Sequence, residues 1–311
     1  MSGGSVWTSF SVDTATGDLH VAVTNPAPDF SERLRPGDNL YTNSIVVLDM
    51  RTGKLRWHRS MVPHDSHDWD LTQVMPLFTA TINGRPRRLV TTAGKDGMIR
   101  VLDRDTHAVM YATAVTTIEN AAAPVTTTPA RVCPGALGGV EWNGPSYSTR
   151  TGMLYVPAAD WCTIFPADEE PRYFPGKYFM GGDDDMDPSE KAQGWVTAID
   201  AATGAVKWKY RSPRPMVAPR PMVASVTTTA GDLVVTGDLT GDFLALDART
   251  GAVLYRCNTG GSMGGGIVTY EVSGRQYIAA ASGTPSPFWA DMNRGAPTIV
   301  VFALPQPGAT N

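Results

Sequence analysis

The stretch Val47-Leu-Asp-Met-Arg-Thr-Gly-Lys-Leu-Arg-Trp57 recurs three more times along this 311-residue chain. Each copy has a hydrophobic residue followed by Asp, two variable residues, Thr, Gly, three variable residues and an aromatic ring, except that the second copy carries His in place of Gly. This pattern predicts a hairpin in which Asp accepts amide hydrogens, Gly supplies a positive φ and the aromatic ring packs against a neighbour. The later copies end at Tyr111, Trp208 and Tyr255.

Strand-like segments precede each copy, for example Leu19–Val23, Arg88–Thr92, Met153–Pro157 and Leu233–Gly237. Repeats of roughly 40–50 residues with about four strands each are typical of a β-propeller. A last unit near residues 266–302 supplies three strands. We therefore predict an all-β chain of about five four-stranded antiparallel blades.

The spacing between the second and third copies is about twice the other spacings, which indicates an insertion inside the third blade. We place this inserted loop at about residues 164–194 and treat residues 1–311 as a single, partial propeller domain. Its run Asp183-Asp184-Asp185 is interpreted as a solvated loop rather than a metal site. The incomplete last unit favours a portion of a larger propeller, and a five-bladed ring is the alternative.

The composition of the chain argues against some partners and locations and leaves the state of its cysteines open. The net charge is −4 with no basic patch, so nucleic acid is not expected as a partner. No apolar run is long enough to span a membrane, and no signal peptide is expected from the opening Met-Ser-Gly-Gly. Of the three cysteines, Cys133 and Cys162 flank a turn-rich segment and could form a disulfide in an oxidising compartment, whereas three reduced cysteines are the alternative.

A polar cluster, Pro63-His-Asp-Ser-His-Asp-Trp-Asp70, lies between two strand-like segments. Asp and His interrupt any apolar period, so the stretch predicts a loop at one end of a sheet, where functional side chains often lie. A solvated turn whose Asp side chains cap backbone amides is the alternative interpretation.

From residues 3 to 304 the chain resembles the quinoprotein dehydrogenases that use pyrroloquinoline quinone (PQQ), which have eight-bladed propellers, and matches their later blades. The resemblance rests on the repeat and on Gly3-Gly-Ser-Val-Trp7, Thr24-Asn-Pro-Ala-Pro28 followed by Arg35-Pro-Gly-Asp-Asn-Leu-Tyr41, and the 63–70 stretch. It implies that Trp7 lies under the cofactor ring, that Asn25 ligates a metal and that Asp68 is the catalytic base. His67 then stands where the family usually has Trp.

The same resemblance assigns three further residues. Lys95, in Ala93-Gly-Lys-Asp-Gly97, corresponds to a residue that binds the quinone oxygens and acts in catalysis. Asp70 is a further metal ligand, for Ca²⁺ or a lanthanide, together with Asn25 and Asp68. Glu141 stands where relatives often have a cofactor-contacting Asn, so the resemblance implies that it contacts the cofactor, with a different side chain in that place.

The resemblance also implies the cellular setting. Cys133 and Cys162 match a disulfide that brackets a cofactor-facing loop in many members. The expected function is periplasmic oxidation of an alcohol or sugar, with electrons passed to a cytochrome c or to ubiquinone. A glutamate metal ligand and a vicinal disulfide come from earlier blades in the family and have no matching position here, so we expect an isolated chain to bind cofactor weakly or not at all. A non-catalytic scaffold, like the outer-membrane assembly lipoproteins that share the repeat, is the alternative function.

Overall fold

The computed structural model describes residues 2–71, 73, 75–212, 221–283 and 295–304. In chain order its strands are β1 (Ser2–Gly3), β2 (Ser11–Asp13), β3 (Asp18–Val23), β4 (Pro26–Ala27), β5 (Ser44–Asp49), β6 (Leu55–Ser60), β7 (Leu77–Ile82), β8 (Arg85–Ala93), β9 (Met98–Asp103), β10 (Val109–Ala114), β11 (Ala130–Val132), β12 (Ser146–Ser148), β13 (Met153–Asp160), β14 (Thr163–Phe165), β15 (Asp185–Met186), β16 (Gln193–Asp200), β17 (Val206–Arg211), β18 (Thr227–Thr228), β19 (Leu233–Gly237), β20 (Asp242–Asp247), β21 (Val253–Asn258), β22 (Ile267–Val272), β23 (Arg275–Ser282) and β24 (Thr298–Ala303).

Five antiparallel sheets follow one another along the described chain, as the repeat predicts. We name them blade A (β2-β3-β5-β6), blade B (β7-β8-β9-β10), blade C (β12-β13-β16-β17), blade D (β18-β19-β20-β21) and blade E (β22-β23-β24). The prediction of an all-β propeller of about five blades, the last with three strands, is confirmed. The helices of the described part are two short 3-10 turns (Glu32–Leu34 and Ser189–Lys191), and neither has the length or apolar character needed to cross a membrane.

The repeated Asp closes each hairpin turn. Asp49 Oδ1 accepts the amide hydrogens of Arg51 and Thr52, at 3.0 and 2.9 Å. The Gly of the turn adopts a positive φ (+69° at Gly53), and in the second copy His107 adopts φ +60° instead. The same pair of amide bonds recurs at Asp103, Asp200 and Asp247.

The repeated aromatic ring joins each blade to the next. Tyr111 of blade B lies against the turn of blade C, where its hydroxyl donates to the carbonyl of Ala201 at 2.9 Å. A Cβ on Gly204 would lie only 2.6 Å from this ring, so glycine is required there for space as well as for φ. Trp208 packs against Gly251 of blade D in the same way.

Apolar side chains fill the spaces between neighbouring blades. Val47 of blade A and Val90 of blade B are fully buried in one such cluster, and Leu154 of blade C packs with Leu89 of blade B in the next. Blade E closes over Phe243 of blade D. Burial on both faces explains why the inner strands are continuously hydrophobic rather than alternating.

The inserted segment leaves blade C between β13 and β16. Strands β14 and β15 pair with each other and with β11, which forms a small three-stranded sheet beside the blades. Cys133 and Cys162 form a disulfide at this sheet, so the predicted pairing is confirmed and the reduced alternative is wrong for these two residues. The acidic run at 183–185 is exposed.

Candidate functional site

The loop that carries the polar cluster is folded around Asp65. Its Oδ1 accepts the amide hydrogen of His67 at 2.9 Å, and its Oδ2 accepts that of Trp69 at 3.0 Å. The turn interpretation is therefore right about amide capping, but Asp65 and His67 are buried, so the loop is not solvated. Burial raises the pKa of Asp65 to about 6 and lowers that of His67 to about 4, because it disfavours the charged forms.

Asp68, Asp70 and Lys95 form an ion cluster in which Asp70 and Lys95 are buried and Asp68 is partly exposed. Lys95 Nζ lies 2.6 Å from Asp68 Oδ2 and 3.5 Å from Asp70 Oδ2. The backbone amide of Lys95 donates to the carbonyl of Asp70 at 3.1 Å, which ties the two loops together. Burial raises the pKa of Asp68, with Lys95 opposing it. Burial disfavours charged Lys95, but Asp68 and Asp70 outweigh this effect and raise its pKa.

Asn25 joins this cluster through its backbone. Its amide donates to Asp70 Oδ1 at 3.3 Å, while its side-chain Nδ2 donates to Asp29 Oδ1 and to the carbonyl of Pro26. Burial raises the pKa of Asp29. The segment before Trp7 lies alongside, since the amide of Gly4 donates to the carbonyl of Asn25 at 2.9 Å.

Trp7 itself is 51% exposed, whereas Glu141 is only 7% exposed. Within the described residues Glu141 Oε1 is buried without a hydrogen-bond partner. Burial raises the pKa of Glu141 to about 7, with Lys95 opposing and Asp70 adding to the rise. Gly139, two residues earlier, packs so tightly on the backbone of Lys95 that a Cβ would overlap it.

Asn25, Asp68 and Asp70 have the oxygen ligands that a hard cation such as Ca²⁺ binds, but their side chains are not arranged around a common point. The described residues contain no group of three or more His, Cys, Asp or Glu side chains arranged to hold a metal ion. Asp68 and Asp70 turn to Lys95 instead. An Asn amide oxygen beside carboxylates is nevertheless what Ca²⁺ and similar cations prefer, and the unpartnered oxygen of Glu141 leaves an acceptor for a further group.

Three residues that the structure brings to this site were given no role from the sequence: Asp29, Arg35 and Asp65. Asp29 accepts a hydrogen bond from Asn25, and Arg35 donates one to the carbonyl of Asp65, the first residue of the 65–70 loop. Arg35 stands in a quoted motif, so its position carried a signal. Asp29 and Asp65 make side-chain hydrogen bonds to residues two to four positions away, but their place at the site depends on how separate loops meet, which local patterns do not predict.

Comparison with known proteins gives two family matches. Residues 1–124 match the "Glucose/ethanol/alcohol dehydrogenase, beta-propeller domain" of the PQQ type, and residues 186–286 match the "Outer membrane protein assembly factor BamB" family. The lanthanide-dependent methanol dehydrogenase of Methylorubrum extorquens is 30% identical over 94% of this chain and 52% of its own length. The quinoprotein alcohol dehydrogenase PedH of Pseudomonas putida is 29% identical over 98% of this chain and 55% of its own length.

Solved structures agree with these matches. The quinohemoprotein alcohol dehydrogenase of Comamonas testosteroni superposes with a TM-score of 0.85 at 28% identity, covering 99% of this chain and 50% of that one. A europium-containing methanol dehydrogenase superposes with a TM-score of 0.80 at 27% identity, covering 90% of this chain and 51% of that one. The chain thus spans about half the length of the relatives it matches. Its sequence and fold are similar to the PQQ-dependent quinoprotein alcohol dehydrogenases over a portion of their propeller.

Proposed function

We propose that this chain carries part of the active site of a PQQ-dependent dehydrogenase that oxidises an alcohol or a sugar. The observation that carries the proposal is the ion cluster in which Lys95 Nζ lies 2.6 Å from Asp68 and 3.5 Å from Asp70, with the amide of Asn25 on Asp70. Removing a cation and its carboxylate partners from water costs free energy, and apolar residues in the same place often give equal or greater stability. Clusters of this kind are found preferentially at functional sites. We also infer that residues 1–311 form one propeller domain.

The roles follow from the chemistry of alcohol oxidation. When bound, PQQ would accept the hydride, and with it two electrons, from the substrate carbon. Asp68 would take the hydroxyl proton, because burial makes it a stronger base than a solvated carboxylate. Lys95 would be the cation that stabilises negative charge on the cofactor oxygens.

Further residues would hold the cofactor and metal. Trp7 offers an apolar ring face, and Glu141 offers a buried oxygen without a partner in the described residues. Asn25, Asp68 and Asp70 would supply oxygen ligands to Ca²⁺ or a lanthanide. The names of two relatives, lanthanide-dependent and europium-containing methanol dehydrogenases, support a metal of this kind.

We also propose an electron acceptor and a cellular compartment for the whole protein. A cytochrome c or ubiquinone would accept the electrons, and one relative is named "Lupanine 17-hydroxylase [cytochrome c]". The Cys133–Cys162 disulfide is consistent with an oxidising compartment, and we infer the periplasm.

A second candidate function is a non-catalytic scaffold, and the match of residues 186–286 to the outer-membrane assembly factor family favours it. That match does not include Asn25, Asp68, Lys95 or Glu141, all of which precede it. A scaffold has no need of a buried Lys with two carboxylates, so we rank the dehydrogenase first.

A binding titration separates the two functions. The purified protein is titrated with PQQ in the presence of Ca²⁺ or La³⁺, followed by Trp fluorescence, and tested for dye-linked oxidation of ethanol and glucose. With the remaining part of a relative's propeller supplied, the dehydrogenase function predicts PQQ binding that is weakened by Trp7→Ala and turnover that is lost in Asp68→Ala. Asp105→Ala, at an exposed hairpin turn, serves as the control. Absence of PQQ binding even when the remaining part of a relative's propeller is supplied would favour the scaffold.

A further inference from the structure

Arg35 is buried in an unusual way, with only 2% of the residue exposed. Its guanidinium donates to three backbone carbonyls: Nε to Pro28 at 2.9 Å, and Nη2 to Asp29 at 3.3 Å and Asp65 at 2.7 Å. Nη1 donates to Asn39 Oδ1 at 3.1 Å. The acceptors belong to two separate loops, so one side chain connects the loop after Asn25 with the loop before Asp68.

A buried cation whose hydrogen-bond acceptors are all neutral is expensive to keep. The nearby charges of Asp65 and Asp29 offset part of that cost. An apolar residue of similar volume would fill the space without the free-energy cost of removing a charge from water. The fork geometry of arginine, which reaches several carbonyls at once, is therefore what the position uses.

Asp65, whose backbone Arg35 holds, in turn holds the backbone on both sides of Asp68. Its two carboxylate oxygens hold the amides of His67 and Trp69, the residues on either side of Asp68. Asp68 adopts φ +60°, a conformation that non-glycine residues adopt only when their surroundings hold them there. Arg35 holds the backbone of Asp65 from below, and Asp65 holds both neighbours of Asp68.

We propose that Arg35, acting through Asp65, is a positioning residue that keeps the side chain of Asp68 directed at Lys95. The catalytic meaning of this clamp rests on the proposed function, in which Asp68 is the base. The clamp itself depends only on the contacts described above, and it is measurable in the protein without any ligand.

The test is hydrogen–deuterium exchange read by mass spectrometry, on the whole protein carrying Arg35→Gln. We expect exchange in peptides covering residues 62–71 and 25–31 to rise about tenfold or more, as loss of hydrogen bonds worth about 1.5 kcal/mol predicts, while blade B peptides stay unchanged. Arg33→Gln is the matched control. Arg33 also donates to backbone carbonyls, of Asp168 and Glu169, but it is exposed and does not contact the 65–70 loop.

Asp65→Asn is the second variant, in case Arg35→Gln does not fold. Its amide nitrogen cannot accept a hydrogen bond, so one of the two amides beside Asp68 loses its partner, and the 62–71 peptides should again exchange faster. Unchanged exchange in a folded Arg35→Gln or Asp65→Asn protein overturns the clamp, as does an equal increase in Arg33→Gln.

A kinetic measurement then tests the link to catalysis. In protein that binds PQQ and La³⁺, Arg35→Gln should lower kcat at least tenfold, while KM for the alcohol and the affinity for PQQ change less than about threefold. A fall in PQQ affinity with unchanged kcat would contradict positioning of Asp68. If the unmodified protein binds no PQQ even when the remaining part of a relative's propeller is supplied, the proposed function fails, and hydrogen exchange still decides whether the clamp exists.

Discussion

At the scale of single residues, the site depends on the charge of Lys95. It is the partner of both Asp68 and Asp70, and it is only 5% exposed. Replacing it with Gln leaves the buried carboxylate of Asp70 and the partly buried carboxylate of Asp68 without a counter-charge, so we expect Lys95→Gln to lower the free energy of unfolding by about 3 kcal/mol at pH 7. Urea unfolding measures this, and the exposed Lys54→Gln is the control. A loss as small as that of the control would mean that water, not Lys95, stabilises the carboxylates.

Glu141 predicts a defined pH dependence of stability. Burial raises its pKa from 4.5 to about 7, so between these values the folded protein keeps a proton that the unfolded chain has released. Stability from this group is therefore present below about pH 4.5 and is lost as the pH rises to about 7, by up to about 3 kcal/mol.

Comparison with Glu141→Gln isolates this effect, since Asp65 and His67 titrate alike in both proteins. The variant should be more stable than the parent protein at pH 8 and should match it near pH 4.5. Parallel stability curves from pH 4.5 to 8 would show that Glu141 keeps an ordinary carboxyl pKa.

The sequence indicated most of these residues but not how they contact one another. Asp68, Asp70 and Lys95 stand in short motifs with recognisable chemistry, so they could be singled out individually. Their burial and the support from Arg35 depend on loops far apart in the chain. Nothing in the local pattern of Asp29 distinguished it from an ordinary turn residue, although it accepts a hydrogen bond from Asn25.

At the scale of elements, the repeated hairpin turns are what the sequence predicted best. Two of the turn glycines separate the two reasons for glycine at this position, its positive φ and its small size. Gly53 and Gly204 share a positive φ, but a Cβ on Gly53 meets nothing within 4 Å, whereas one on Gly204 lies 2.6 Å from the ring of Tyr111. Both Ala variants should lose about 1 kcal/mol from the backbone, and Gly204→Ala should lose a further 1–3 kcal/mol from overpacking. Equal losses in urea unfolding would mean that Tyr111 moves aside freely.

The turn motif succeeded as a predictor because its physics is local: an Asp, two amides and a left-handed residue lie within five positions. The small sheet of β11, β14 and β15 has no such signal, because its strands are two or three residues long and come from both sides of blade C's first two strands. The sheet is recognised only from the hydrogen-bonded pairing of β14 with β11 and β15 in the structure.

At the scale of the whole molecule, the disulfide links this small sheet to the site. Cys133 begins the segment that leads to Gly139, which packs on the backbone of Lys95, and Cys162 begins the excursion from blade C. A bridge across a sequence separation of 29 restricts the unfolded chain by about 3.5 kcal/mol in the loop-entropy model.

Reduction, or Cys133→Ser with Cys162→Ser, should therefore lower the free energy of unfolding by about 2–4 kcal/mol. Because the bridge also supports the segment beneath Lys95, hydrogen exchange in peptides covering residues 94–97 and 135–141 should rise more than exchange in blade D. Cys257→Ser leaves the bridge intact, so its stability should keep the same dependence on reductant as the parent protein. If reduction lowers stability but affects all blades equally, the bridge acts only on the unfolded chain and has no particular role at the site.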